Sequence, residues 1–153
     1  MDSKQLTENV EMYLKMIYLL EVNTHAPAKT GEISEKLNIS PASVTEMLDR
    51  MQEDGLVKHR KYKGVVTTNK GRDVAMRVLR KHCLLERFLI EALGVKDRVV
   101  AHEQADAMEH VLLDDVAMRL NRIVKLPKRC PECYDLDKEI CAQYLNATAW
   151  KRR

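Results

Sequence analysis

Residues 102–110 read His-Glu-Gln-Ala-Asp-Ala-Met-Glu-His, which spaces His102, Asp106, Glu109 and His110 at i, i+4, i+7 and i+8. At roughly 100° per residue these four side chains fall on one face of a helix, beside an apolar stripe of Ala105, Met108 and Leu112. Upstream, His82 and Glu86 are likewise i, i+4 neighbours and can chelate one ion. Imidazole and carboxylate together suit Mn, Fe, Co, Ni or Zn, with water completing the shell. The plainer account is a polar helix face with intrahelical salt bridges and surface histidines, and the commonness of charged helix faces favours it when spacing is the only guide.

A second set of residues has chemistry suited to nucleic acid. Lys58, His59, Arg60, Lys61 and Lys63 crowd around one turn, where they would neutralise phosphate and make affinity salt-dependent. Ahead of them Ser40, Pro41, Ala42, Ser43 and Thr45 supply the short first turn that a recognition helix needs if its N-terminal end is to enter the major groove. Glu46 is suited to accept from cytosine N4, and equally to sit in solvent. The bland alternatives are a solvated charge run and a winged helix that binds only protein. A third set, Cys130-Pro131-Glu132-Cys133 with Cys141, has the makings of a Zn or iron–sulfur site without an obvious fourth ligand, or of quiet reduced thiols. Cys83, next to His82, belongs to a different segment.

The elements that must carry these groups follow from periodicity and punctuation. From Thr7 to Glu21 the apolar positions Val10, Leu14, Ile17 and Leu20 line one face and Met12, Met16 and Leu19 the other, which predicts a helix buried on two sides. Thr30 is expected to cap a short helix reaching about Leu37, and Ser40-Pro41 to open the next, which runs through Val44, Leu48 and Met51 to Gly55. Two short helices across a tight turn are the helix-turn-helix outline. Leu56–Lys61 and Val65–Thr68 around Lys63-Gly64 read as a hairpin, a wing. Asn69 is expected to cap a long helix striped by Val74, Val78, Leu85 and Leu89 that ends near Gly94. Further helices are expected over Asp97–Leu113 and Asp115–Val124, and one more in the tail up to Trp150. Helices this apolar after a complete winged helix most economically pack on a second subunit. The fold class is therefore mainly α: an N-terminal winged helix-turn-helix followed by an all-helical dimerisation domain. The divisions are 1–72 for DNA binding, 73–125 for metal binding and dimerisation, and 126–153 for the cysteine-containing tail.

Bulk properties are compatible with this. The 153 residues, 45% hydrophobic and 32% charged, hold one compact unit or two small lobes, and the net charge of +3 suits local basic patches. A polar N-terminus and the lack of a bilayer-length apolar run predict a soluble, cytoplasmic protein that does not engage membrane. No Gly-rich phosphate loop, nucleophile elbow or catalytic-zinc motif is present, so enzymatic activity is not expected.

Several stretches carry a resemblance. These are Glu11-Met12-Tyr13-Leu14-Lys15-Met16-Ile17-Tyr18, Ser43-Val44-Thr45 with Asp54-Gly55-Leu56-Val57, Thr68-Asn69-Lys70-Gly71-Arg72, Arg80-Lys81-His82 with Leu85-Glu86, and Glu109-His110. In order and spacing, from about Val10 to Leu120, the chain resembles the diphtheria-toxin-repressor family of metal-dependent regulators. The resemblance implies a homodimer that binds a palindromic operator in double-stranded DNA and represses when metal pins the DNA-binding lobe to the dimer core. It also implies a primary site of Met12, Asp106, Glu109 and His110 and a second site of His82, Glu86 and His102. Iron-type members usually pair methionine with cysteine at the Met12 and Asp106 positions, whereas manganese-type members have carboxylates at both and a further one where Lys15 stands. This mixture leans to Fe²⁺, with Mn²⁺ the alternative. The chain ends without the small β-rich third domain of many iron-type members, so the second site is expected to be incomplete or hydrated. The rival reading is a winged-helix regulator that senses oxidant through Cys130, Cys133 and Cys141.

Overall fold

The computed structural model describes residues 6–125 and, as backbone, 134–135 and 140–141. Two compact units divide the chain, residues 1–77 and 78–153.

In the first unit, helix α1 (Glu8–Thr24) opens at Thr7, whose hydroxyl accepts from the Val10 N–H, and ends where His25 turns left-handed at φ 54°. Leu14, Ile17 and Leu20 of the first expected face are buried, whereas of the second only Leu19 is, Met12 and Met16 being half-buried, and Tyr13 and Tyr18 are buried instead. Helices α2 (Thr30–Leu37) and α3 (Pro41–Glu53) are separated by three residues. Asn38 supplies the left-handed turn at φ 53°, and Ser34 closes it by donating to the Ile39 carbonyl at 2.6 Å and accepting the Ile39 N–H at its own carbonyl at 3.1 Å. Thr30 is not the cap expected of it but the first helical residue. The extended residue before α2 is Lys29, and its N–H is taken up by the Glu32 carboxylate at 2.9 Å. Ser40 does cap α3, accepting from the Ser43 N–H at 3.2 Å with Pro41 in the first turn.

Strands β1 (Val57–Arg60) and β2 (Gly64–Thr67) pair antiparallel, from Val57 opposite Thr67 to Arg60 opposite Gly64. The free edge of β2 is held by Ala28, which exchanges both backbone hydrogen bonds with Val65 at 2.8 and 2.9 Å. Gly64, at φ 89°, lets the two backbones meet, because a Cβ there would stand 2.6 Å from the Ala28 carbonyl oxygen. Behind the hairpin, Leu14, Ile17, Ile33, Val44, Leu48, Leu56 and Val65 are all fully buried, each contributing about 1.5–3 kcal/mol by leaving water.

Helix α4 (Asn69–Glu91) starts at Asn69 itself, one residue earlier than a cap at that position would allow. Thr68, not Asn69, terminates it, its hydroxyl accepting the Gly71 N–H at 3.1 Å and donating to the Gly55 carbonyl at 2.8 Å. In the second unit, α4 is joined by α5 (Arg98–Met108), capped by the Asp97 carboxylate, and α6 (Asp114–Val124). Leu84, Ala117 and Val124 form a buried cluster flanked by Phe88, Leu112 and Leu120, and the Lys81 ammonium ties α4 to the start of α6 through the Leu112 carbonyl at 2.6 Å and Asp114 at 2.7 Å. Helix α5 is shorter than its sequence suggests. After Met108 its carbonyl accepts from both Val111 and Leu112, and the chain turns so that Leu112 packs inward. In the tail, β3 (Tyr134–Asp135) and β4 (Ile140–Cys141) pair antiparallel. The helix expected after them, up to Trp150, lies outside the described residues.

Among the described residues no helix is long and apolar enough to cross a membrane. Among the described residues, all the exposed large hydrophobic side chains except Tyr62 belong to the second unit. Leu93, Val99, Val111, Leu113, Met118 and Ile123 are each more than 60% exposed.

Candidate metal centre and nucleic-acid interface

His82 is the hub of the second unit's polar cluster. It stands on α4, fully buried, one turn before Glu86. Its Nε2 lies 2.8 Å from a Glu86 carboxylate oxygen, and its Nδ1 lies 2.8 Å from Glu109 and 3.0 Å from Asp106. Carboxylates only accept hydrogen bonds, so each imidazole nitrogen in this arrangement must present a proton or share a cation with its partner. His102, on α5, meets the same groups from the other side, with Nδ1 3.6 Å from Glu86 and Nε2 3.3 Å from Asp106. Its ring packs edge-on to that of His82 at 4.9 Å. His110 extends the chain of contacts, its Nε2 3.3 Å from the second oxygen of Glu109.

The local sequence explains this placement. Four-residue spacing stacks His82 on Glu86 and His102 on Asp106 one helical turn apart. Glu109 and His110, expected on the same helix as His102, stand just past the end of α5, although the Glu109 N–H still bonds the Ala105 carbonyl at 2.9 Å. Both stand in the turn that follows Met108. Two carboxylates, Glu86 and Glu109, are 2% exposed. Burial opposes the charge on Glu86, but hydrogen bonds from His102 and His82 and their charge outweigh it and hold the carboxyl below the usual range.

Six of the seven residues singled out as ligands are thus brought together, and they form one connected cluster where two separate sets were expected. His82 contacts members of both. Three carboxylates and three imidazoles converge in a partly buried place, and oxygen with borderline nitrogen donors is what a first-row divalent cation takes. Ligating atoms of His82, His102 and Asp106 all lie within 4.8 Å of one another. The residues fit such an ion. Met12, the seventh, is half-buried on α1 in the first unit. Cys130 and Cys133 lie outside the described residues, and Cys141 is described only as backbone in β4.

In the first unit, Ser40, Pro41, Ala42, Ser43, Thr45 and Glu46 are all exposed around the start of α3. The Ser40 and Ser43 hydroxyls lie 2.9 Å apart, and Thr45 donates to the Pro41 carbonyl at 3.1 Å, which fixes their rotamers while leaving acceptor lone pairs. Glu46 is engaged in an exposed ion pair with Arg50, four residues on. On β1 the alternation turns Lys58 and Arg60 outward and Val57 and His59 inward, so His59 leaves the basic face and stands 3.7 Å from Asp49. Lys61 and Lys63 are exposed at the turn. Between them stands Tyr62, not among the residues expected from the sequence to meet DNA, 94% exposed with its backbone left-handed at φ 64°. A lone aromatic amid lysines at a hairpin turn was the available signal.

Comparison with known proteins bears on both units. Residues 5–65 match the family model described as iron dependent repressor, N-terminal DNA binding domain, and residues 68–135 match iron dependent repressor, metal binding and dimerisation domain. An HTH-type transcriptional regulator of Methanocaldococcus jannaschii is 37% identical over 115 residues, 75% of this chain and 91% of that protein. The diphtheria toxin repressor of Corynebacterium diphtheriae is 38% identical over 128 residues, 84% of this chain but 56% of its own length. Among solved structures the manganese regulator SloR superposes with a TM-score of 0.69 at 35% identity, over 82% of this chain and 58% of that one. The chain therefore spans nearly all of the archaeal relative and little more than half of the other two.

Proposed function

The chain belongs to the iron-dependent repressor family, whose DNA-binding and metal-binding domains it carries in order, and from that premise we propose that it is a cytoplasmic metal-activated regulator. It would bind a palindromic operator as a homodimer and repress metal-homeostasis genes. The observation that carries this is the ring of His82, buried and gripped at one nitrogen by Glu86 and at the other by Asp106 and Glu109. A bound divalent cation would supply the positive charge that these carboxylates otherwise draw from protons on imidazole.

His82, Glu86, His102, Asp106, Glu109 and His110 would hold the metal. Met12 is proposed as the ligand from the DNA-binding half, which would make metal occupancy select the spacing of two recognition helices for half-sites about one helical turn apart. The Met12 thioether is a softer donor than a carboxylate and leans the set to Fe²⁺ over Mn²⁺. That relatives include a manganese regulator keeps Mn²⁺ as the alternative. Ser40, Pro41, Ala42, Ser43 and Thr45 would face the major groove, with Lys58, Arg60, Lys61 and Lys63 on phosphate. The second unit's exposed apolar side chains would be covered by a second copy.

The test is binding to an operator selected from a random duplex library, at fixed salt, with EDTA, anaerobic Fe²⁺, Mn²⁺ or Zn²⁺. Affinity should rise at least about ten-fold with Fe²⁺ or Mn²⁺, as typical of an allosteric coupling, and Asp106→Ala and Glu109→Ala should abolish the rise. Equal binding in EDTA, or a metal response that survives both substitutions, would sink the reading.

A further inference from the structure

The wing contains a side chain that the fold does not use. Tyr62 is 94% exposed, at the turn between β1 and β2, in the left-handed region at φ 64°. That conformation is costly for a residue with a Cβ, and glycine or asparagine would turn the chain more easily. Exposure leaves the ring with almost no protein surface to pack on. The Lys61 ammonium lies 5.2 Å from the ring centroid, exposed Lys63 follows Tyr62 in sequence, and Arg60 and Lys58 lie along the outward face of β1. The stem is rigid, since β2 is fixed on one edge by β1 and on the other by Ala28.

A flat aromatic ring flanked by cations on a stiff stem matches the DNA minor groove, which is about 6 Å wide, walled by deoxyribose and bordered by two rows of phosphate. Resting on the DNA-binding reading above, we propose that Tyr62 enters the minor groove and lays its ring against the sugar walls while Lys61 and Lys63 meet the flanking phosphates. The ring senses groove shape and the guanine amino group that protrudes into the groove floor. It thereby adds a preference for A·T pairs at the wing, outside the bases faced by α3.

The experiment uses the full chain, loaded with whichever metal supports operator binding, and fluorescence anisotropy on the selected operator across a salt series. Tyr62→Ala should weaken binding about ten-fold, within the range expected for an aromatic–nucleotide contact, and leave the slope of log affinity against log salt unchanged because no charge is lost. Tyr62→Phe should stay within about two-fold of the parent, and Lys63→Ala should flatten the slope by about one. Placing G·C pairs under the wing should weaken the parent, inosine·C pairs should restore it, and Tyr62→Ala should be indifferent to both. Unchanged affinity for Tyr62→Ala, or a parent blind to the G·C-to-inosine·C exchange, overturns the proposal while leaving the metal-switch reading intact. A parent that binds no duplex under any metal overturns both. Thermal denaturation of Tyr62→Ala at the parental temperature verifies that the wing itself is undisturbed.

Discussion

At the scale of single residues, burial separates side chains that look equivalent in the sequence. His82, with no exposed surface, is the partner of buried Glu86 and Glu109, whereas the Asp106 side chain is 46% exposed. In chelator, His82→Ala should therefore destabilise the second unit by about 3–5 kcal/mol, the cost of leaving buried charge without its partner. Asp106→Ala should leave the melting temperature nearly unchanged and still impair metal binding. A chelated melt and a metal titration of each variant test this, and equal melting losses would contradict it. Glu86 adds a pH signature. Its carboxyl is held low by His102 and His82 against the opposing effect of burial, so its contribution to stability is present above the unfolded value near 4.5 and lost as pH falls through the lower folded value. In chelator, Glu86→Gln should flatten the acid limb of the stability curve, measured by urea melts at stepped pH, and an unchanged limb would refute it. The spacing of His82 with Glu86 and of His102 with Asp106 was legible in the sequence. That His82 touches Glu109, twenty-seven residues on, was not, because no local rule sets the approach of α4 to α5.

At the scale of elements, punctuation residues carried most of the information. Ser40-Pro41 marked the start of α3 correctly because a hydroxyl cap followed by proline has few other uses. Thr30 and Asn69 misled because each has a competing neighbour. Glu32 reaches back to the Lys29 N–H, and Thr68 gains two further carbonyl contacts at the β2–α4 junction. That junction is also tight. A Cβ on Gly71 would stand 2.0 Å from the Leu56 carbonyl oxygen, so Gly71→Ala, neutral or better by helix propensity, should instead destabilise the first unit by about 1–3 kcal/mol, as overpacking does. Urea denaturation followed by circular dichroism would detect it, and a stabilised variant would contradict the packing argument. Thr68→Ala should cost about 1 kcal/mol through the lost cap.

At the scale of the whole molecule, the apolar side chains left exposed on the second unit call for a partner. Met118→Glu with Ile123→Glu, both more than 60% exposed, should shift the protein toward monomer in sedimentation equilibrium and weaken operator binding by more than ten-fold. Metal affinity should be kept, since neither side chain belongs to the candidate cluster. A dimer that survives both charges would place the interface elsewhere. Element order and the residue types of the candidate metal cluster could be read from the sequence alone, because apolar periodicity, caps and four-residue spacing are local properties, and the family could be read from the order of short motifs that resemble it. Tertiary structure alone decided that the two expected ligand sets meet at one buried imidazole, that His59 leaves the basic face of the wing, and that Tyr62 stands unburied between two lysines. Each depends on which elements pack together and which side of a strand is covered, and residue spacing within a single element does not encode that.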